Sequence, residues 1–418
     1  MSFKTIFLTS FIAGALLLVY LTGHLNPSSL RGKKHDPDER AFLAMKAAGN
    51  RTLGFHSIRF INMPKRYDRS DAMALQAYLA GVDVEEYRGV TTDDFSELGM
   101  PPTSNLNFVK PGEKGATRAH ANIWTEILQK KLPPVLILES DASWDVNLRP
   151  IVALFNKKFT KLLNQLHSKP LYSANASGPV DFHLPTSEVT NAPWWADDGN
   201  QRTKEQQQQQ QLAGDGDVIE PDPDDPWHSE HWDTISFGQC FDSQKTPTSY
   251  LRYSDPFVPD LGKDYFGQRL GKERVVHHSG GVVCTTGYAI TQRGAAKMLL
   301  RTAIDLDAPL DLIMQAMMGS GELTTYSMMP TIMAQWQYVP KIGMEHRGAN
   351  SDIQGTNLED QNVLSNPDDL SGWDEVKRSH SVWMPKMGHP DVAFTEMALQ
   401  VAWKKIFSKE KDIQVELD

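Results

Sequence analysis

Val135-Leu136-Ile137-Leu138-Glu139-Ser140-Asp141-Ala142-Ser143-Trp144-Asp145 begins as a short apolar run and ends in acids. Pro133-Pro134 bounds it upstream. A run of this length with Val and Ile reads as a fully buried strand of a parallel sheet. In open α/β sheets, ligands bind beyond the carboxyl ends of the strands. Glu139, Asp141 and Asp145 therefore stand where a binding site belongs. Carboxylates there suit a hard divalent cation, which takes oxygen ligands and bridges to phosphate. The same acids suit a plainer task, capping the turn or helix that follows. The rest of the chain has to decide.

Just upstream, Gly115 to Leu128 is patterned as a helix, with Ala116, Ala119, His120, Ile123, Trp124, Ile127 and Leu128 on one face. Lys110 to Lys114 before it reads as a turn. Ser57 to Asn62 reads as a strand, and Asp71 to Leu79 as a helix with Asp68 at its N-cap and Gly81 at its end. Val82 to Tyr87 is the next strand. Strand, helix, strand is the start of a doubly wound sheet. Downstream, Asn147 to His167 is mostly helical, as are Gln292 to Leu300 and Leu312 to Met318. Trp232 to Cys240, Val275 to His278, Val282 to Thr291 and Thr324 to Met329 are strand candidates.

Residues 187–227 break this pattern. Gln206 to Gln211 is a glutamine run, followed by Asp215, Asp217, Glu220, Asp222, Asp224 and Asp225 with no base between them. Such a composition reads as a disordered insertion between two halves of one sheet. Residues 359–418 form a C-terminal tail; a polar linker from Glu345 to Asp374 leads into it, and Val392 to Phe407 is an amphipathic helix.

The 418 residues, 40% hydrophobic and 22% charged, are enough for a large core in one or two domains. A net charge of -10 argues against a nucleic-acid partner. Cys240 and Cys284 form no zinc motif; they pair in an oxidising compartment or stay buried thiols in the cytosol. Thr5 to Thr22 is almost uncharged, at the short end of a membrane span and longer than a usual signal-peptide core. It predicts a signal-anchor transmembrane helix over residues 5–22, a cytoplasmic tail of residues 1–4 and a stem over residues 23–56. The expected location is the Golgi or ER membrane, single-pass type II, with the main domain lumenal. Cleavage near Gly23 is the alternative. Lys4 before the span, against Arg31, Lys33 and Lys34 after it, gives the anchor no charge-rule support.

Three segments together resemble glycosyltransferase family 25, most closely its fungal branch. Gly115 to Trp124 is similar to the family's Gly followed by His and Trp. Glu139 to Asp145 falls where fungal members read Glu-Asp-Asp-Ala-Asp-Trp-Asp. Cys284 to Leu300 resembles an aromatic-Ala-Ile/Val stretch followed by Arg-Gly-Ala and a Leu pair. Ile61 to Arg69, Trp232 to Cys240 and Ser351-Asp352-Ile353 also match family positions. The resemblance covers Ile58 to Ile353 apart from the insertion. It implies a GT-A-type nucleotide-sugar-binding fold, α/β with a mixed, mainly parallel sheet, over residues 57–358. It also implies inverting transfer of a sugar, most often galactose, from a UDP-sugar donor to a glycan or glycoprotein acceptor, with a divalent metal, usually manganese (Mn2+). The sequence departs at Ser140 and Ser143, which replace two acids, and keeps Glu139-x-Asp141. On a strand that spacing aims both side chains to one face.

A diphosphate leaving group needs its developing charge neutralised, which a carboxylate-held metal does. Asp141 is the first expected ligand, with Glu139 as a second ligand or a turn acceptor, and His277 or His278 joining from a strand end. A base must take the acceptor hydroxyl's proton. Asp311 opens a helix and matches the family's Pro-Leu-Asp, so it is the candidate base or a simple N-cap, with Asp307 as substitute. Arg66 and Arg69 suit a phosphate fork or a solvated surface. His120 reads as a core histidine or a donor contact. Trp124 and Trp144 read as packing, and Met314 to Met333 as core filler. The rival to an enzyme is an inactive lectin or partner-binding domain of the same fold, motivated by Ser140 and Ser143.

Overall fold

The computed structural model describes residues 36–94, 96–105, 109–171, 218–245, 249–259, 264–265, 268–269, 271–339, 371–384 and 394–408. The chain divides into two units, Met1–Arg40 and Ala41–Asp418, and the second holds the sheets. In chain order the helices and strands begin with α1 (Pro37–Ala48), β1 (Ile58–Asn62), α2 (Tyr67–Ala80), β2 (Glu85–Arg88), α3 (Pro111–Lys130), β3 (Val135–Glu139), β4 (Ala142–Trp144) and α4 (Leu148–Gln165). After residues 172–217 come β5 (Thr234–Ser236), β6 (Phe241–Gln244), β7 (Tyr250–Ser254), β8 (Asp264–Tyr265), β9 (Gln268–Arg269), β10 (Glu273–Val283) and β11 (Gly287–Ile290). The remainder are α5 (Gln292–Ile304), α6 (Leu310–Ser320), β12 (Thr325–Met329), β13 (Met333–Gln335), α7 (Ser371–Ser379) and α8 (Ala398–Phe407).

The main sheet has the order β2-β1-β3-β11-β5-β12-β10-β6, with β7 also paired to β10. β1 runs parallel to β2 and β3, and β5 parallel to β12. β10 and β11 pair antiparallel with every neighbour. Among the described strands of this sheet, these two alone oppose the rest, so the sheet is mixed with most strands in one direction. That architecture is consistent with a GT-A-like fold.

The opening stretch is the buried strand its composition predicts. Successive side chains of a strand point to opposite faces. Leu136 and Leu138 enter a core with Phe155, Phe159, Trp144 and Trp227. Val135 and Ile137 enter the opposite core with Ile123, Trp124, Tyr288 and Met317. Helix α4 thus covers one face of the strand, and α3, α5 and α6 the other. Both faces being apolar, the run shows no alternation in the sequence.

Several boundaries differ from expectation, each for a local reason. α3 starts at Pro111 rather than Gly115: proline suits the first helical turn, and Glu113 accepts from the Lys110 N–H at 2.7 Å. Asp68 is not an N-cap. Arg66 occupies that position, and Asp68 lies in the first turn of α2. Gly81 does end α2, in the left-handed region at φ 66°. Thr291 caps α5 by accepting from the Gly294 N–H at 3.1 Å. Gly294 is required there, because a Cβ would lie 2.4 Å from the Asp233 carbonyl oxygen.

The end of the expected insertion is packed. Asn164 on α4 donates to the Ile219 carbonyl and accepts from its N–H, at 2.9 and 2.8 Å. Trp227 is buried and donates to the Leu53 carbonyl at 2.8 Å. The amphipathic tail helix is α8, shorter than expected, and it packs on α2 and β4. Among the described residues no helix is long and apolar enough to cross a membrane; residues 5–22 lie outside them.

Candidate active site

β3 ends at Glu139, and a turn through Ser140 and Asp141 leads into β4. β4 pairs with β13, setting Ala142 opposite Gln335. β11 pairs with β3, which brings the preceding Thr285 and Thr286 alongside. The Glu139 N–H donates to the Thr286 carbonyl at 3.0 Å. Its carboxylate accepts from the Thr285 hydroxyl at 2.6 Å and from the Gln335 amide at 3.3 Å. Burial, and then the neighbouring charge of Asp141, push the Glu139 carboxyl up from 4.5 to about 7. The hydrogen bonds and Arg69 oppose that rise without cancelling it.

Asp141 is buried, and Arg69 from α2 reaches it at 3.1 Å. The same guanidinium donates to the Ser140 hydroxyl at 3.2 Å. Ser140 is thus one of this arginine's acceptors. Asp141 Oδ1 is buried with no hydrogen-bond partner among the described residues.

The other expected site residues have partners of their own. Arg66 makes two 2.9 Å bonds to Asp68, which also accepts from Tyr338 at 3.2 Å. Burial would raise the Asp68 carboxyl, but Arg66 and Tyr338 outweigh it and hold it low. Asp307 pairs with Arg301 at 2.8 Å. Asp311 is in the first turn of α6, whose N-cap is Pro309; it accepts from the N–H groups of Cys284 and Leu312 at 3.2 and 2.9 Å. Asp145 lies before α4, where it accepts from the Asn147 N–H at 2.9 Å and from the Glu396 N–H at 2.8 Å.

The three expected histidines are packed against other side chains. His120 is buried in the core, where its Nδ1 meets the Tyr288 hydroxyl at 2.9 Å. Trp124 donates to that hydroxyl at 3.1 Å, so the hydroxyl proton is available to His120. Burial lowers the His120 pKa to about 3. His277 is fully buried on β10, 3.0 Å from Asp242 and 3.1 Å from Ser327. His278 beside it stacks on Tyr326 at 5.1 Å.

No family model matches the chain. Over 131 residues it is 24% identical to procollagen galactosyltransferase 2 of Homo sapiens, a match covering 28% of this chain and 20% of that protein. Over 141 residues it is 23% identical to procollagen galactosyltransferase 1 of Danio rerio, covering 31% and 22%. The chain thus spans about a fifth of the length of the curated relatives it matches. The relationship is distant and glycosyltransferase-like.

The carboxylate pair admits a chemical test of the expected metal. Among the described residues no three His, Cys, Asp or Glu side chains form a protein-only cage. A hard cation such as Mg²⁺ needs only one or two carboxylates when substrate phosphates and water complete its shell. Asp141 Oδ1 offers a buried acceptor without a partner, and Glu139 beside it carries a charge that its surroundings disfavour. That donor set fits a hard cation.

Proposed function

We propose that the chain is an inverting glycosyltransferase that moves a sugar from a UDP-sugar to a glycan or glycoprotein acceptor. The observation that carries the reading is the Glu139–Asp141 pair at the carboxyl end of β3, with Arg69 across it at 3.1 Å from Asp141. The relatives' names, procollagen galactosyltransferase, favour galactose as the sugar.

Asp141 is the residue that would hold a divalent cation, manganese in this proposal, through its Oδ1, unpartnered among the described residues, with Glu139 beside it outside the ion's direct ligands. When bound, such an ion neutralises the charge that develops on a departing diphosphate. Arg69 orients Asp141 and keeps its far oxygen engaged, leaving Oδ1 for the ion. Glu139, poised near neutral pH, suits the task of accepting the acceptor hydroxyl's proton. It takes that role from Asp311, both of whose oxygens already serve backbone N–H groups. A signal-anchored, lumenal placement in the Golgi or ER belongs to the same proposal; the Cys240–Cys284 disulfide supports it, because such bonds persist in oxidising compartments.

A UDP-sugar screen with the full-length protein, following released UDP with manganese or EDTA, tests this. Manganese-dependent turnover, greatest with UDP-galactose, is the expected result. Sugar binding without any UDP release would leave the inactive lectin reading in its place.

A further inference from the structure

We propose that Asp311 and the Cys240–Cys284 disulfide form a positioning device for Glu139. For its kinetic consequence the proposal rests on the transferase reading above. The side chain that fixes Glu139 most closely is Thr285, at 2.6 Å. Thr285 follows Cys284, whose backbone is left-handed at φ 71°. A residue with a Cβ avoids that region unless its surroundings impose it.

Three restraints impose it here. The disulfide ties Cys284 to Cys240, with their Cα atoms 5.5 Å apart. The Cys240 N–H also donates to the Val283 carbonyl at 2.9 Å. From the other side, Asp311 accepts from the Cys284 N–H at 3.2 Å. Beyond the turn, Thr286 accepts from the Glu139 N–H at 3.0 Å. The segment from Val283 to Thr286 is thus clamped at both ends, and its Thr285 hydroxyl aims at the carboxylate. Asp311 acts through Cys284 and Thr285, as a positioning residue.

The test compares Asp311→Ala, Asp311→Asn and the double variant Cys240→Ala/Cys284→Ala in the full chain. Two measurements are made: kcat and donor KM with UDP-galactose and manganese, and amide hydrogen exchange at residues 139 and 284–286. Asp311→Ala and the cysteine pair should lower kcat by about 10- to 100-fold, the scale of a displaced catalytic group, with donor KM unchanged. Asp311→Asn keeps one oxygen, which serves the Cys284 N–H and leaves the Leu312 N–H in the first turn of α6 to solvent, and should stay near wild type. Exchange should quicken at Glu139 and Thr285 in the first two proteins, and not across the rest of the sheet.

Asp311→Asn as inactive as Asp311→Ala would overturn the proposal, because it would make the carboxylate itself the requirement. Unchanged exchange at these amides in a folded Asp311→Ala protein would also overturn it. If wild type turns over no UDP-sugar, the transferase reading fails, and the exchange measurement still decides the positioning on its own.

Discussion

The Arg69 guanidinium lies 3.1 Å from the Asp141 carboxylate, joining α2 to the turn that follows the central strand. Both side chains are largely buried, at 7% and 13% exposure. Removing one partner of a buried pair strands the other charge, at about 3 to 5 kcal/mol. Arg69→Met should therefore destabilise the protein by about 3 kcal/mol, measured by urea unfolding at pH 7. Asp141→Asn leaves Arg69 charged, but with an amide oxygen and the Ser140 hydroxyl still facing it, and should cost less. Equal losses in the two variants would show that packing, rather than charge, dominates there.

Activity should rank those variants the other way. Asp141→Asn should cut turnover by about 100-fold, the scale of losing one charge stabiliser, with the fold intact by circular dichroism. Unchanged manganese dependence in that protein would remove Asp141 as ligand.

Glu139 gives a pH signature in EDTA, where no cation is bound. Its carboxyl titrates at 4.5 in an ordinary setting and near 7 in the fold. Between those values the folded state holds the extra proton, so stability from this group is full below pH 4.5 and lost as pH rises through about 7. Glu139→Gln is neutral throughout. It should match wild type near pH 4 and be the more stable protein at pH 8. A gap that does not change with pH would contradict the raised value.

Much of this site was legible before the fold, and the reason for what was not is geometric. The run Val135 to Leu138 announces a strand buried on both faces, and its acidic end puts Glu139 and Asp141 together beyond that strand. Arg69 was visible only as a candidate phosphate contact, because its pairing with Asp141 depends on how α2 packs across β3. Thr285 and Gln335 carry no signal at all until β11 and β13 find their partners. His277 misleads for the opposite reason: on β10 it faces a buried cluster with Asp242 and Ser327. Ser140 reads as a lost ligand in the sequence, yet in the fold it is an acceptor for Arg69.

The core assignment of His120 has its own test. Tyr288→Phe removes the hydroxyl that serves both His120 and Trp124. Two buried polar groups lose a partner, each costing about 1 to 3 kcal/mol. Donor affinity should not change, because none of these groups touches the carboxylate pair. Acid should act in the same direction. His120 and His278 are lowered by burial to about 3, and His228 to about 4. A depressed base stabilises above its ordinary value of 6.5, and that stability is lost as pH falls toward 3. Urea midpoints should therefore fall steadily below pH 6.5, and a flat profile would show these histidines charged in the fold.

The glutamine-rich stretch divides at Val218. From Asn200 to Asp217 the apolar side chains are Leu212 and Ala213, too little for a core, and changing a loop's length costs only about 0.6 kcal/mol per doubling. Deleting residues 200–217 should therefore leave the melting temperature unchanged. Extending the deletion through Asp225 should not. It removes both bonds between Asn164 and Ile219, and the Asp225 carboxylate that accepts from Ser229 at 2.7 Å. At about 1 kcal/mol for each hydrogen bond, the loss is about 3 kcal/mol, a fall of several degrees on heating. Trp227 would suffer next, since this segment leads it into its place against Phe55 at 5.1 Å. The two deletions also separate structure from function. If the shorter one keeps its melting temperature and UDP release but loses transfer to acceptor, the acidic stretch recognises the acceptor. If it keeps all three, the stretch is a passive connection, and acceptor choice lies with the loops around Glu139.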